Sequence, residues 1–255
     1  MKAPPTQTPL PGTRPEGIES EAAAAAYIRR MFAAVVPRYD FLNHLLSFGL
    51  DRSWRRRTAV ALREKLSRPE ARAIDLCTGT GDLALALARV TPGRVLGSDF
   101  CHPMLTRAKE KASAARVRIP VIAADTLALP FAEASFDVAT AAFGFRNLAN
   151  YQRGLEEMRR ILKPGGVVAI LEFALPERGL FRHLYRFYFR YVLPCVGNLL
   201  AGVRGPYNYL LESVEQFPSC DEFAGWMRAA GFAEVHYTCW TGGTVALHVG
   251  AKPPG

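Results

Sequence analysis

Three kinds of feature are missing from this sequence, and each absence argues against a class of protein. The five cysteines include no C-x-x-C pair, which predicts reduced thiols rather than a disulfide framework or a zinc site. The longest apolar run, residues 191–203, contains Pro194 and Gly197 and is shorter than the about 20 residues that a membrane span needs. The first residues lack the charged and then apolar layout of a signal peptide. We therefore expect a cytoplasmic protein that is soluble or contacts a membrane only from its surface.

The histidines show no spacing typical of metal ligands, so the sequence predicts no metal site. They are His44, His102, His183, His236 and His248. Of these, His44 lies in a segment expected to cover a ligand site, where it could act as a base. An ordinary, partly exposed histidine is the favoured interpretation.

The composition is that of one large globular domain with appendages, since 49% of the 255 residues are hydrophobic and 22% are charged. The net charge of +9 is compatible with nucleic acid, an acidic membrane surface or an anionic substrate. The basic residues do not form a recognisable RNA-binding module, and we expect no nucleic-acid partner.

Strand and helix patterns alternate from residue 72 onward, and the last two strands follow each other closely. This alternation predicts an α/β fold with a doubly wound, mostly parallel sheet of seven strands and an antiparallel C-terminal hairpin at one edge. The predicted strands are 71–78, 94–100, 120–125, 135–145, 166–174, 233–240 and 244–252.

The segments outside the sheet divide the chain further. Residues 1–18, rich in proline and threonine, are predicted to be a disordered tail. Residues 19–66 are predicted to form a helical cap of two or three helices, the first of them ended by Pro37. The core is predicted to span residues 67–255, with a helical, substrate-covering insertion at about 176–216.

The insertion carries a basic stripe and an aromatic stripe, which a helix would place on different faces. The two sets are Arg178, Arg182, Arg186 and Arg190, and Phe181, Leu184, Tyr185, Tyr188 and Tyr191. This pattern fits an ordinary helix lying on the sheet, a lid over an apolar substrate, or a surface that rests on anionic lipid.

The turn after the first strand contains glycines that let the backbone approach a ligand closely. Gly79 and Gly81 precede the first core helix. Asp99 ends the second strand, where a carboxylate can accept hydrogen bonds from ribose hydroxyls. The combination predicts a nucleoside ligand, and the turn alone is compatible with either a nicotinamide cofactor or S-adenosylmethionine.

Three further features favour S-adenosylmethionine, because they are typical of class I methyltransferases. Asp75 stands four residues before the first glycine of the turn, Asp125 closes the third strand, and a Leu-Lys-Pro-Gly-Gly turn precedes the fifth. An Arg-Asn pair, Arg146 and Asn147, follows the fourth strand. Because ligands of such sheets lie beyond the carboxyl ends of the strands, this pair is predicted to meet a substrate.

Five longer stretches extend the pattern: YDFLNHLLSFGLDRSWRR, IDLCTGTGDLALALAR, DTLALPFAEASFDVATAAFGFRN, LEEMRRILKPGGVVAILEF and PYNYLLESVEQFP. With them the chain resembles the ubiquinone/menaquinone biosynthesis C-methyltransferase family, from about residue 27 to residue 252. The resemblance implies a Rossmann-like class I fold and methyl transfer from S-adenosylmethionine to a ring carbon of a polyprenyl quinol. Demethylmenaquinol is the expected acceptor; the methoxy-benzoquinol of ubiquinone biosynthesis, or both quinols, are the alternatives.

The resemblance also implies roles for individual residues. Cofactor contacts are expected at Gly79, Thr80, Gly81, Asp99, Asp125 and Thr126, and from the backbone of Ala142, where the family often has serine. Arg146 is expected to hold the developing quinol oxyanion, since a guanidinium stays protonated and is a poor base. Asn147 and Tyr39 are expected to orient a water or the second oxygen. The family tends to have Asp where His44 stands and His where Asp51 stands, which leaves the acid–base group unassigned.

The expected partners are the polyprenyl quinol and, transiently, the anionic inner face of a membrane. The sequence leaves the oligomeric state open, and a homodimer is one of the assemblies that it allows. Two other classes stay as alternatives, a nucleic-acid methyltransferase and a non-catalytic quinone-binding protein.

Overall fold

A computed structural model of the chain describes residues 20–176 and 206–254 without a break. It also describes isolated positions before and between these ranges, namely residues 12, 13, 15, 17, 18, 182, 183, 185 and 187–192.

The centre of the fold is one seven-stranded sheet with the strand order β3-β2-β1-β4-β5-β7-β6. Strands β1 to β5 run parallel, while β7 is antiparallel to both β5 and β6. The predicted doubly wound sheet with its C-terminal hairpin is thus confirmed. The strands are β1 Arg72–Leu76, β2 Arg94–Asp99, β3 Val121–Ala123, β4 Phe136–Ala142, β5 Leu162–Phe173, β6 Ala233–Trp240 and β7 Val245–Ala251.

Seven α-helices of the described residues surround this sheet. Their first residues are preceded by N-caps where the sequence supplies them: Ser20 accepts a hydrogen bond from Ala23 N, and Asn150 accepts one from Arg153 N. The helices are α1 Glu21–Leu46, α2 Leu50–Ala61, α3 Asp82–Ala88, α4 His102–Ala114, α5 Tyr151–Ile161, α6 Pro206–Glu215 and α7 Cys220–Ala229.

Helix α1 runs through Pro37, so the prediction that this proline ends the first helix is wrong. A proline in a helix interior costs about 3 kcal/mol, because it removes one backbone hydrogen bond and crowds the preceding turn. Buried side chains on both sides of the proline offset that cost: Ala24, Ile28 and Val35 precede it, and Leu42 follows it. Tertiary packing therefore decides the length of α1.

The two cap helices lie beside the carboxyl ends of the parallel strands, since α1 packs on α4 and α6 and α2 packs on α3. They fall inside the predicted cap, residues 19–66. In the predicted insertion the structure describes α6 and a π-helical turn, Tyr188–Val192. Four members of the predicted stripes, Arg178, Phe181, Leu184 and Arg186, lie outside the described residues.

Within the described part of the chain, no helix is both long enough and apolar enough to cross a membrane.

Candidate active site

The glycine turn joins β1 to α3 through three residues with positive φ: Cys77 at 49°, Gly79 at 56° and Gly81 at 84°. A β-carbon on Gly79 would point into open space, so the backbone here is uncovered. A β-carbon on Gly81 would lie 3.1 Å from the Ala108 side chain. Gly81 thus lets the turn pack against α4, and its predicted contact with the cofactor stays a prediction.

Asp99 braces this turn from the end of β2. Its carboxylate accepts hydrogen bonds from the backbone amides of Gly79 and Cys101, both at 2.8 Å. Burial raises the pKa of Asp99 to about 6, although the amide hydrogen bonds act in the opposite direction. Each carboxylate oxygen can accept a further hydrogen bond, so Asp99 can still meet a pair of hydroxyls.

Both carboxylate oxygens of Asp75 accept hydrogen bonds from side chains of the fold. The donors are the hydroxyls of Thr78 at 2.6 Å and Thr140 at 2.7 Å. Burial raises the pKa of Asp75 to about 6, and the two hydroxyls partly counteract this. Asp75 therefore fastens the glycine turn to β4.

The hydroxyl of Thr80 reaches the cap helix. It donates to Asp40 of α1 at 2.5 Å and accepts from the Lys111 ammonium at 3.1 Å. Lys111 also pairs with Asp40 at 3.0 Å and with Asp82 at 2.5 Å. Asp40 and Lys111 were not predicted, because the contacts join α1, α3 and α4 across long sequence separations.

A first cavity, which we call the cofactor cavity, lies at the carboxyl ends of β1, β2 and β4. It brings together most of the predicted cofactor contacts with two of the predicted catalytic residues: Gly79, Thr80, Asp99, Asp125, Thr126, Ala142, Asn147 and Tyr39. Asp125 is exposed, and its carboxylate accepts from the Leu127 amide at 2.9 Å. Carboxylates at two strand ends, beside uncovered backbone at a helix N-terminus, suit a nucleoside with a ribose.

A second cavity of about 440 Å³, the acceptor cavity, adjoins the first. Phe32, Tyr39, Arg55 and Phe143 line both cavities. The rest of its wall is mainly apolar and aromatic: Met31, Val35, Leu46, Phe48, Leu50, Trp54, Phe173, Tyr185, Tyr188, Tyr209 and Leu210, with polar Asn43, Ser47, Asp51, Arg146, Thr241 and Thr244.

Arg146 is buried in the wall of the acceptor cavity, in the 3₁₀ turn Phe145–Asn147. Its Nη1 donates to Glu172 at 2.9 Å and to the Phe143 carbonyl at 2.5 Å, while its Nε donates to Ser213 at 3.3 Å. Burial alone lowers the pKa of Arg146, but the Glu172 carboxylate more than offsets this and raises it. The Nη2 group donates to no described residue, so this nitrogen can donate a hydrogen bond to a ligand.

Asn147 and Tyr39, the other two predicted catalytic residues, differ in which cavities they line. Asn147 lines only the cofactor cavity, and its side-chain oxygen accepts from the Tyr209 hydroxyl at 3.0 Å. Tyr39 lines both cavities, and burial raises the pKa of its phenol. Tyr39 therefore shares the cofactor cavity with Asn147 and the acceptor cavity with Arg146.

The chain matches the ubiE/COQ5 methyltransferase family over residues 20–252. It belongs to that family.

Curated relatives cover most of its length. A demethylmenaquinone methyltransferase of Thermus thermophilus is 49% identical over 224 residues, which are 88% of this chain and 100% of the relative. One of Deinococcus radiodurans is 46% identical over 88% of this chain and 92% of the relative. A ubiquinone/menaquinone biosynthesis C-methyltransferase UbiE of Geotalea daltonii is 45% identical, covering 88% and 96%.

Solved structures support the fold. A SAM-dependent methyltransferase of Aquifex aeolicus has a TM-score of 0.56 at 20% identity and covers 76% of this chain and 89% of its own. A SAM-dependent methyltransferase of Thermotoga maritima has a TM-score of 0.57 at 20% identity, covering 87% and 99%. The predicted class I, Rossmann-like fold is confirmed.

One cluster at the acceptor cavity was not predicted as a unit. Asp51 accepts hydrogen bonds from Ser47 at 2.9 Å and from Arg55, and His44 Nδ1 lies 2.8 Å from its Oδ2. Burial acts to raise the pKa of Asp51. The opposite effect of Arg55, His44 and Ser47 is larger, so the pKa lies below its ordinary value. Ligating atoms of His44, Asp51 and Asp82 lie within 4.8 Å of one another. His44 and Asp51 stand out in the sequence as exchanged relative to the family, but the contact between them and the nearness of Asp82 are set by the fold.

Proposed function

We propose that this enzyme transfers a methyl group from S-adenosylmethionine to a ring carbon of a reduced polyprenyl quinol, with demethylmenaquinol as the acceptor. Membership of the ubiE/COQ5 methyltransferase family supports the reaction class. The names of the Thermus and Deinococcus relatives support the acceptor. The UbiE relative, named for both quinone pathways, keeps the methoxy-benzoquinol step as the second candidate.

The observation that carries this proposal is the pair of adjoining cavities. One has the strand-end carboxylates Asp99 and Asp125 in its wall, and the other is larger and almost entirely apolar. They meet at Tyr39, Arg55 and Phe143. A polar donor and an apolar ring can therefore meet there with their reacting atoms next to each other, which is the main requirement of a group transfer.

The cofactor cavity suits S-adenosylmethionine, which supplies an electrophilic methyl group when bound. Asp99 would accept hydrogen bonds from the ribose hydroxyls, while Asp125 and Thr126 would lie near the adenine. The Thr80 hydroxyl is already paired with Asp40, so Thr80 would contact the cofactor through its backbone, as would Ala142.

On the acceptor side, Arg146 would stabilise the negative charge that develops on a quinol oxygen. Its Nη1 and Nε are held by Glu172, the Phe143 carbonyl and Ser213, which leaves Nη2 to donate. A guanidinium fixed before the reaction stabilises such a charge without reorganising.

The second quinol oxygen also needs a partner. Tyr39 reaches both cavities, and Asn147 is held by Tyr209 beside the donor. In addition, the Thr244 hydroxyl is buried with no hydrogen-bond partner among the described residues, and Thr244 lines the acceptor cavity. We assign Tyr39 and Asn147 the orienting role and Thr244 a contact to the far oxygen.

The test of the proposed function is incubation with methyl-labelled S-adenosylmethionine and each reduced quinone, followed by mass analysis. We expect a gain of one methyl group on the demethylmenaquinol ring, and none on the same compound when it is kept oxidised. Label on the benzoquinol only would replace the proposed acceptor by the second candidate. Label on neither quinol would overturn the proposed function.

A polyprenyl quinol is very apolar, so the enzyme must take it from a membrane. Exposed apolar side chains occur in the segments that contribute to the acceptor cavity: Phe48 and Leu50 line it, Phe41 and Leu45 belong to α1, and Phe187 and Tyr191 flank the cavity residue Tyr188 in sequence. Phe48 is 78% exposed, lines the cavity and contacts Tyr188 of the π-helical turn at 5.8 Å between ring centroids. We propose that these side chains form a rim that rests on the membrane and admits the prenyl tail. Two further expectations stay predictions: that the enzyme lies at the cytoplasmic inner face of the membrane, and that it forms a homodimer.

Replacement of Phe48 and Phe187 by serine is expected to reduce binding to anionic liposomes at least tenfold, because two exposed apolar anchors are lost. Flotation measures this, and Arg190→Glu should reduce binding only at low salt. Val60→Ser is the matched control, since Val60 is 56% exposed but does not line the cavity. Equal binding of all variants would contradict the membrane proposal.

A further inference from the structure

The His44–Asp51 pair connects the acceptor cavity to the surface. Asp51 lines the cavity and is only 3% exposed. His44 does not line the cavity, and its side chain is 22% exposed. The His44 Nδ1 lies 2.8 Å and 3.0 Å from the two Asp51 oxygens, while its Nε2 forms no hydrogen bond with a described residue. One end of the pair thus faces the quinol cavity and the other can reach water.

The elements packed around Asp51 fix its carboxylate. Ser47, at the end of α1, donates to its Oδ1 at 2.9 Å. Arg55, one turn further along α2, donates to its Oδ2 and is also attracted to Asp82 of α3. The positive charge of the same Arg55 also acts on Tyr39 of α1, where it partly opposes the rise in pKa that burial causes. The Arg55 cation therefore balances Asp51 and Asp82 between the two cavities.

The reaction needs a proton acceptor in this cavity. Methylation of a quinol ring carbon releases one proton overall, because a C–H bond of the ring is replaced by a C–CH₃ bond. Arg146 cannot take that proton, since a guanidinium is already protonated. The other walls of the cavity are mainly apolar.

We propose that Asp51 is the catalytic proton acceptor of this enzyme and that His44 is its positioning residue and its outlet to solvent. This inference rests on the proposed function. The quinol O–H bond breaks, its proton goes to Asp51, and its electron pair moves into the ring. The ring carbon then bonds to the methyl group, the S–CH₃ bond breaks, and that electron pair stays on sulfur. Loss of the ring C–H proton and return of one to the oxygen restore the aromatic quinol, so one proton leaves to water.

The two residues accept the proton as a coupled unit. A carboxylate whose pKa lies below its ordinary value is ionised and ready at neutral pH, but on its own it binds a proton weakly. The imidazole of His44 contacts the Asp51 carboxylate through Nδ1, and an imidazole can take up a proton on one ring nitrogen and release one from the other. The proton received by Asp51 can therefore pass to His44 and leave to water from the exposed part of the ring.

The decisive experiment compares kcat over a pH series for wild type, Asp51→Asn, His44→Gln and the double exchange His44→Asp with Asp51→His. General-base removal costs about 10²–10⁴ in rate, so we expect Asp51→Asn to lower kcat at least 100-fold, with a rate that then rises as pH rises. We expect His44→Gln, which leaves Arg55 paired, to lower kcat about tenfold and to change the shape of its pH profile. The double exchange should regain at least tenfold over Asp51→Asn.

Affinity for S-adenosylhomocysteine should stay within about twofold in all variants, and Arg56→Gln, an exposed change on α2, serves as the control. Wild-type kcat and pH profile in both Asp51→Asn and His44→Gln would overturn the inference while leaving the proposed function intact. An inactive wild type would instead overturn the proposed function. Activity lost on dialysis against a chelator and restored by Zn²⁺ would also overturn the inference, because His44, Asp51 and Asp82 would then be metal ligands.

Discussion

Replacement of Arg146 by alanine is expected to lower kcat for quinol methylation by about 10²–10³. Loss of one preorganised donor to a developing oxyanion has an effect of this size, and the Nη2 group of Arg146 has no hydrogen-bond partner among the described residues. The same change leaves the Glu172 carboxylate buried without its cation. Removal of one partner from a buried ion pair lowers the free energy of unfolding by about 3–5 kcal/mol.

A second variant separates the two effects. Glu172→Gln, added to Arg146→Ala, removes the unpaired buried charge, so we expect most of the unfolding free energy to return while kcat stays low. Chemical denaturation and single-turnover methylation measure the two quantities. A double variant that regains both stability and full kcat would show that Arg146 serves only the fold.

Replacement of Asp99 by alanine is expected to weaken S-adenosylhomocysteine binding about 100-fold or more. A hydrogen bond to a charged group contributes about 1.5–3 kcal/mol, and a carboxylate facing a ribose can form two. The change also leaves the Gly79 and Cys101 amides without their acceptor, which loosens the turn. Isothermal titration calorimetry measures the affinity. Asp125→Ala is the comparison, with an expected loss of about tenfold because Asp125 is exposed; equal affinity of Asp99→Ala and wild type would refute the assignment.

The pH dependence follows from the raised pKa of Asp99, about 6 in the folded chain against an ordinary 3.8. Below about pH 6 the protonated carboxyl loses acceptor capacity, so wild-type affinity should fall with decreasing pH and Asp99→Ala should show no such slope. The contribution of Asp99 to the free energy of unfolding changes with pH in the opposite direction. A raised pKa favours the protonated folded state, so the contribution of Asp99 to the unfolding free energy is complete below about pH 4 and lost as pH rises through about 6.

The sheet could be predicted because its strands are short apolar runs between helix patterns, and each falls within a few residues of its predicted bounds. Pro37 was misjudged because local propensity says nothing about the buried side chains that hold α1 together on both sides of it. The insertion is described too sparsely to test its predicted stripes.

The site was predictable only where local motifs place a residue at a strand end. Asp99, Asp125 and Arg146 follow that rule. Asp40, Lys111 and Glu172 do not, because each is defined by a partner from a distant element. The small size of Gly81 serves the contact with Ala108, and its predicted contact with the cofactor stays a prediction. A glycine motif alone does not say which of its glycines faces the cavity.

Helix α1 supplies Phe32 and Tyr39 to both cavities, and its Asp40 holds Thr80 of the glycine turn. One helix thus forms a roof over both the cofactor cavity and the acceptor cavity. A ligand that orders this roof removes part of the entropic cost of ordering it for the other ligand, and by linkage the effect is reciprocal. The two substrates should therefore bind cooperatively. S-adenosylhomocysteine, the product of the methyl donor, should dissociate slowly while a quinol is bound.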